Sequence, residues 1–128
     1  MDMVDLVKGY DVVAIDEGQF FDDLHQFILA MEQMYHIVDD DDDIGGKKKK
    51  PSVVIISALS GDSNRQCWPN MNAIYPLVDD IMHCKAFCVD CNDGTLAAFS
   101  KCVVVKTGQT LIGDKEAYKA TCRRHFLK

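Results

Sequence analysis

The sequence has 128 residues, of which 48% are apolar and 27% charged, enough for one compact domain or two small ones. Its net charge of -6 opposes binding to the phosphates of nucleic acid. It shows neither an apolar run of roughly 18 residues, as a membrane span requires, nor a secretory signal. We therefore expect a cytoplasmic protein with no nucleic-acid or membrane partner, whose cysteines are metal ligands or buried thiols rather than disulfides.

The first part of the chain predicts a strand, a helix and a second strand. Val12–Ile15 is a short β-branched run without alternation, which indicates an interior parallel strand covered on both faces. From Asp22 onward, apolar residues recur every three or four positions, as on one face of a helix: Leu24, Phe27, Ile28, Met31, Met34, Tyr35 and Val38. Val53–Leu59 is the second apolar run. The predicted fold class is therefore α/β, with a parallel sheet.

A low-complexity segment over residues 39–50 separates the predicted helix from the second strand. It contains a run of aspartates, two glycines and a run of lysines, and it is typical of a solvated surface insertion. It lacks the alternating ligands of a calcium loop. It also lacks a phosphate-binding loop, because Asp41 and Lys48 occupy positions where that motif requires Gly and Ser or Thr. We assign it no function.

The second part of the chain differs from the first in its residue composition and pattern. Pro76 is placed as the first residue of a helix that would continue through Ile81 and Met82. Beyond His83, closely spaced cysteines and three short runs predict a small β ribbon, with strands over residues 97–99, 102–105 and 110–112. We therefore expect an α/β domain over residues 1–83 and a ribbon domain over residues 84–128.

Four residues at metal-ligand spacing form two pairs. Cys88-x-x-Cys91 and Cys122-x-x-His125 can each place two side chains on one tetrahedral ion. Thiolate and imidazole ligands suit Zn²⁺, and four protein ligands leave no position for water, so we expect a structural zinc site. A redox dithiol is the alternative, but the turn predicted after Cys91 does not suit it. The other cysteines are expected to be ordinary thiols, with Cys84 a lesser candidate ligand: Cys67, Cys84 and Cys102.

An acid pair, Asp16 and Glu17, ends the first predicted strand. Ligands of open α/β sheets bind beyond the carboxyl ends of the strands. An apolar strand that ends in an acid is the Walker B arrangement, in which Asp acts on nucleotide-bound Mg²⁺ and a neighbouring carboxylate accepts a proton. Acids also end strands merely because they are solvated there. Both interpretations stay open at this level.

The segment Tyr10–Phe21 resembles the Walker B and active-site segment of the type II thymidine kinases, the cytosolic and large-DNA-virus class. Other segments resemble the family's next strand and turn, its following helix start and its lasso loop: Val54–Gly61, Pro76–Val78 and Ile112–Tyr118. The two ligand pairs match the family's zinc ligands in order. The similarity therefore extends from about Tyr10 to Phe126.

This resemblance implies transfer of the γ-phosphoryl group of ATP to the 5′-hydroxyl of thymidine by a homo-oligomer, with Mg-ATP and structural zinc as cofactors. Glu17 matches the catalytic base, and Asp16 matches the aspartate that acts on Mg²⁺. The walls of the thymine pocket match Phe20, Leu59 and Trp68, where Trp68 replaces a Phe. The lasso, anchored by the zinc site, would contact the nucleoside through backbone groups near Leu111, Ile112 and Gly113 and through Tyr118.

No part of residues 1–128 matches Gly-x-x-x-x-Gly-Lys-Ser/Thr, the loop that cradles the ATP phosphates. We therefore expect the chain to be the C-terminal part of a longer kinase. A noncatalytic zinc-ribbon interaction module derived from such a kinase is the alternative. A fragment of an unrelated Walker-type ATPase would explain the acids but not the lasso or the zinc pattern.

Overall fold

The computed structural model describes residues 3–7, 9–39, 53–104 and 117–128 as a mixed α/β protein with small sheets. It divides into two compact units. The first unit comprises residues 1–59 and 68–78, and the second comprises residues 60–67 and 79–128. The domain boundary expected after residue 83 stays a prediction.

The first unit contains the predicted strand, helix and strand. Its elements are α1 (Met3–Val7), β1 (Val12–Ile15), a 3-10 turn (Gly18–Phe20), α2 (Leu24–Asp39), β2 (Val53–Ile56), α3 (Pro69–Ile74) and a second 3-10 turn (Tyr75–Leu77). Strands β1 and β2 are parallel, with Val12 opposite Val53 and Ile15 opposite Ile56. The parallel pairing is therefore confirmed, although β2 ends three residues before the predicted Leu59.

The core of the first unit lies between the sheet and its helices. Its buried side chains come from α2, from α3 and from Trp68 just before α3: Leu24, Phe27, Ile28, Met31, Trp68, Met71 and Ile74. Alternate strand residues, such as Val13 and Ile56, pack against this core. Within the described residues the opposite face, with Val12 and Ile55, is exposed. The described residues therefore cover only one face of β1, and coverage of its second face stays a prediction.

The prediction of a helix that begins at Pro76 is wrong. Pro69 occupies the first turn of α3, and Pro76 lies in a single 3-10 turn that ends at the extended residue Val78. Ile81 and Met82, which were expected to form the apolar face, are exposed. Because these side chains contact no core, burial does not stabilise a longer helix here.

The described residues of the second unit form two short antiparallel ribbons and one helical turn. Its elements are β3 (Ala86–Phe87), β4 (Leu96–Ala97), β5 (Phe99–Cys102), β6 (Tyr118–Thr121) and α4 (Arg123–Phe126). Strand β3 pairs with β4, and β5 pairs with β6. The predicted ribbon is confirmed, but its second strand begins at Phe99 rather than at Cys102. The strand predicted near residues 110–112 lies outside the described residues.

Aromatic and cationic side chains hold α4 against the second ribbon. The rings of Phe99 and Phe126 lie 5.3 Å apart. The Arg123 guanidinium lies 4.8 Å from the centre of the Phe99 ring, and the Arg65 guanidinium lies 5.1 Å from the centre of the Phe126 ring. Such cation–π contacts each contribute about 0.5–2 kcal/mol. They fix the short helix that carries His125.

Most of the low-complexity segment, residues 40–50, lies outside the described part of the chain. Among the described residues, no helix combines the length and the apolar character that crossing a membrane requires.

Candidate active site and metal centre

The acid pair follows β1 directly, at the carboxyl end of the sheet. The Asp16 carboxylate accepts hydrogen bonds from the Ser57 hydroxyl and, at 3.0 Å, from the Glu17 backbone N–H. Glu17 itself adopts a left-handed backbone, with φ 54° and ψ 43°. A non-glycine residue held in this conformation costs of order 1 kcal/mol and persists only where its surroundings impose it. The turn that carries the acids, which comprises residues 16–20 and is called the acid turn below, is therefore held by its contacts.

Gly18 is the residue that lets this turn lie against the end of β2. Its N–H donates a hydrogen bond of 2.9 Å to the Ser57 carbonyl. A Cβ atom at this position would lie 2.7 Å from Cγ2 of Ile56, closer than real Cβ contacts allow. The close approach of the two backbones therefore requires glycine here.

Gln19, whose side chain is almost fully buried, bridges Glu17 and the segment after β2. Its Oε1 accepts a hydrogen bond of 3.0 Å from the Leu59 N–H, and its Nε2 donates to Oε2 of Glu17. Neither Gln19 nor Ser57 was predicted from the sequence as a site residue. Their positions beside the acid pair and at the end of the second strand were the available signals.

Asn70 supports the same turn from α3. Its Nδ2 group lies within hydrogen-bond distance of the carbonyls of Gly18, Gln19 and Phe21, at 3.2, 2.8 and 3.1 Å. Its Oδ1 accepts from the N–H of Met71 at 3.0 Å, which fixes the amide orientation. Asn70 was not predicted, because no local pattern in the sequence indicates a contact with a turn about 50 residues earlier.

The three predicted pocket walls differ in burial. Phe20 is 51% exposed and Leu59 is 43% exposed, whereas Trp68 is 9% exposed and belongs to the core. The rings of Phe20 and Trp68 make an edge-to-face contact, with their centres 5.7 Å apart. Phe20 and Leu59 are therefore accessible beside the acid turn.

Of the four residues predicted to contact the nucleoside from the lasso, the structure describes only Tyr118. Leu111, Ile112 and Gly113 lie outside the described residues. Tyr118 is the first residue of β6 and is opposite Cys102 in the antiparallel register.

The four predicted metal ligands converge in the second unit, and their ligand atoms all lie within 4.8 Å of one another. The Nδ1 atom of His125 lies 3.6, 3.3 and 3.5 Å from the Sγ atoms of Cys88, Cys91 and Cys122. The Sγ atoms of Cys91 and Cys122 are 3.8 Å apart. Tetrahedral Zn²⁺, with bonds of about 2.3 Å to sulfur and 2.0–2.1 Å to nitrogen, separates its ligand atoms by roughly 3.5–3.8 Å. The cluster therefore fits a tetrahedral metal ion.

The local fold explains why these four side chains converge. Cys88 and Cys91 lie in the connection between β3 and β4, where the Asn92 N–H donates to the Cys88 carbonyl at 3.2 Å. Cys122 immediately precedes α4, so one helical turn brings His125 beside it. The Val89 N–H donates to the Ala120 carbonyl at 3.0 Å and joins the two pairs. Cys67, Cys84 and Cys102 are not members of the cluster.

The electrostatics of the cluster favour a bound cation. Burial raises the pKa of the Cys88 thiol. Hydrogen bonds with the backbone of Cys122 and Cys91 and with the His125 and Cys91 side chains outweigh this effect and lower the pKa to about 6. Burial, together with the thiols of Cys88 and Cys122, raises the pKa of Cys91 to about 11. Adjacent thiolates repel one another, so they do not all ionise without a compensating positive charge. A metal ion bound by the four ligands would supply that charge.

Charged side chains surround the metal ligands. The Lys119 ammonium group lies 2.7 Å from the carboxylate of Asp90, which lies between Cys88 and Cys91 in the sequence. The hydrogen bond from Lys119 lowers the pKa of Asp90. Lys101 donates to the His125 carbonyl at 3.0 Å. Both contacts tie a ligand segment to the β5–β6 ribbon.

Known proteins similar to this chain include viral and plant thymidine kinases. The chain is 34% identical to a thymidine kinase of Sheeppox virus over 128 residues, which are 99% of this chain and 62% of that protein. It is 34% identical over 118 residues to a thymidine kinase of Oryza sativa subsp. japonica, covering 91% of this chain and 37% of the plant protein. A thymidine kinase of Vaccinia virus is 28% identical over 126 residues, or 98% of this chain and 61% of the viral protein. The sequence model of the family described as thymidine kinase matches residues 1–126, and the chain therefore belongs to the thymidine kinase family.

Proposed function

We propose that this chain carries the acid pair and part of the nucleoside pocket of an enzyme that phosphorylates thymidine with ATP. The observation that carries the proposal is the acid turn, in which Ser57 and Gln19 hold Asp16 and Glu17 at the carboxyl end of the sheet. Family membership supports it. The relatives named thymidine kinase supply the substrate class.

In the proposed reaction, the Glu17 carboxylate accepts the proton of the thymidine 5′-hydroxyl. The hydroxyl oxygen forms a bond to the γ-phosphorus of ATP, the bond between that phosphorus and the bridging oxygen breaks, and ADP leaves with the electron pair. Asp16 would act on the Mg²⁺ that accompanies ATP, and Mg²⁺ supplies neutralisation of the phosphate charge. A preorganised turn suits both roles, because the acids do not have to reorient during the reaction.

The accessible side chains of Phe20 and Leu59 support a nucleoside site beside the acids. A pyrimidine base can stack on or pack against such apolar groups, and the contact of Phe20 with Trp68 fixes its ring. The roles of Leu111, Ile112, Gly113 and Tyr118 as lasso contacts rest on the family resemblance. Homo-oligomeric assembly rests on the same resemblance, whereas a cytoplasmic location stays an expectation from the sequence.

We propose Zn²⁺ as the ion of the Cys/His cluster, in a structural role. Three sulfur ligands and one imidazole nitrogen are a donor set that zinc prefers, and all four positions are supplied by the protein. The binding free energy of such an ion contributes directly to folding of the surrounding ribbon. No step of the reaction uses this ion.

The chain spans about 60% of the length of the viral relatives that it matches, and residues 1–128 contain no Gly-x-x-x-x-Gly-Lys-Ser/Thr loop. The proposed reaction therefore requires a phosphate-binding loop from outside these residues. The second candidate function is a noncatalytic zinc-ribbon module that binds other kinase subunits, and the convergence of the four Cys/His ligands supports it.

One experiment separates the two candidates. The chain alone, and the chain fused to a loop-bearing segment of a family member, are assayed for ATP-dependent formation of thymidine monophosphate. We expect product from the fusion and none from the chain alone. Product from the chain alone would contradict the need for the loop. A folded, zinc-containing fusion that forms no product would favour the noncatalytic module.

A further inference from the structure

Gln19 makes a pair of hydrogen bonds that connects the proposed base to the nucleoside pocket. Only 3% of this residue is exposed. One end of its amide contacts the carboxylate of Glu17, and the other end contacts the backbone of Leu59. Leu59 is also one of the proposed pocket walls.

The backbone of Leu59 determines which way the Gln19 amide points. The Leu59 N–H can only donate, so the group that faces it at 3.0 Å must be the amide oxygen. The NH₂ group must then face Glu17, whose carboxylate can only accept when it is ionised. With the amide reversed, two donors would face each other at Leu59 and two acceptors at Glu17. Both bonds therefore require the same orientation.

We propose that Gln19 is a positioning residue for Glu17. Its NH₂ group holds Oε2 of the carboxylate and so directs Oε1 toward the thymidine hydroxyl. This inference rests on the proposed role of Glu17 as the base. Because the same amide is fixed by Leu59, the orientation of the base is coupled to the backbone of the pocket wall. Gln19 acts through Glu17 and does not itself contact substrate.

A merely structural role is the alternative, in which Gln19 serves to join the acid turn to the segment after β2. That role needs the bond to Leu59 but not the bond to Glu17. A double-mutant cycle with Glu17 separates the two roles, because the loss from a positioning role disappears once Glu17 is replaced, whereas the loss from a joining role stays. Gln19→Met removes both bonds at similar side-chain length.

The first test uses the 128-residue chain alone and needs no activity. In ¹⁵N-labelled protein, Glu17→Asn should shift the Gln19 side-chain NH₂ resonances and raise their exchange rate with water by about fivefold or more, as for a lost hydrogen bond. Asparagine tolerates the left-handed backbone of Glu17 but is too short to keep the contact. The matched control is Glu32→Asn, on the exposed face of α2. Unchanged Gln19 resonances in Glu17→Asn would overturn the proposal.

The second test is a double-mutant cycle in the fusion that carries a phosphate-binding loop. Gln19→Met should lower kcat by about tenfold or more, with the KM for thymidine changed less than about twofold. In a Glu17→Gln background, Gln19→Met should lower kcat less than about twofold further, because the group that it positions is gone. Gln26→Met, at an exposed position of α2, should leave kcat unchanged.

An equal loss from Gln19→Met in both backgrounds would show a structural role and overturn the inference. Full activity of Glu17→Gln alone would instead contradict the proposed function. If the fusion makes no product, the proposed function fails, and the resonance test alone decides whether Gln19 holds Glu17.

Discussion

The Ser57 hydroxyl donates a hydrogen bond to the Asp16 carboxylate, across the carboxyl ends of two parallel strands. Ser57 continues β2, and its N–H donates to the Ile15 carbonyl at 2.9 Å. Its own carbonyl accepts from the N–H of Gly18 at 2.9 Å. One residue thus extends the strand pairing and holds both the first acid and the turn that follows it. The parallel sheet is the platform on which the acid pair is built.

Gly18→Ala should destabilise the first unit by about 1–3 kcal/mol. The added Cβ would lie 2.7 Å from Cγ2 of Ile56, and the backbone bond to Ser57 prevents the turn from moving away. Urea unfolding measures the change. The control is Gly61→Ala, whose Cβ would lie 3.4 Å from the Gln66 carbonyl oxygen and should change stability by about 0.5 kcal/mol or less. Equal effects of the two substitutions would contradict the close approach.

Cys91→Ser should abolish stoichiometric zinc binding. The wild-type chain should contain one Zn²⁺, because four ligand atoms converge at tetrahedral spacing and removal of one thiolate opens the site. Elemental analysis of purified protein measures the metal content. Cys67→Ser, which replaces an exposed thiol outside the cluster, should retain the ion. Equal zinc in the wild type and in Cys91→Ser would rule out the proposed site.

Zinc binding should release at least one proton per ion at about pH 7.5, and its affinity should fall as the pH is lowered. The raised pKa of Cys91, about 11, keeps this thiol protonated in the metal-free chain, so the ion must displace its proton. Cys88, with a pKa of about 6, is already mostly ionised and contributes little. While Cys91 is protonated in the metal-free chain, each decrease of one pH unit should lower the affinity for zinc about tenfold through Cys91 alone. Calorimetric titration in buffers of different ionisation enthalpy measures the protons released, and an affinity independent of pH would contradict the assignment.

Local patterns in the sequence predicted the features that depend on neighbouring residues. The two-residue spacings of Cys88 with Cys91 and of Cys122 with His125 bring each pair together in one turn, and the four do converge. The βαβ order likewise follows from the change of apolar period between Val12–Ile15 and α2.

Contacts between distant segments could not be predicted from such patterns. The partner of β5 is Tyr118–Thr121, although the nearer residues 110–112 have the stronger strand composition. Asn70 reaches the carbonyls of the acid turn from another helix, and polar residues at the start of a helix are common for many reasons. Helix α3 itself was missed, because Pro69 and Pro76 give the same signal and only burial of Met71 and Ile74 distinguishes the two positions.

The most direct test of the central claim is Glu17→Gln in the fusion that carries a phosphate-binding loop. The amide keeps the size of the side chain but cannot take up the hydroxyl proton, so kcat for formation of thymidine monophosphate should fall by about 10²-fold or more. The dissociation constant for thymidine, measured by calorimetry, should change less than about threefold. Glu32→Gln, at an exposed position of α2, should behave as the wild type. Full turnover in Glu17→Gln would contradict the claim that the acid turn of this chain carries the catalytic base.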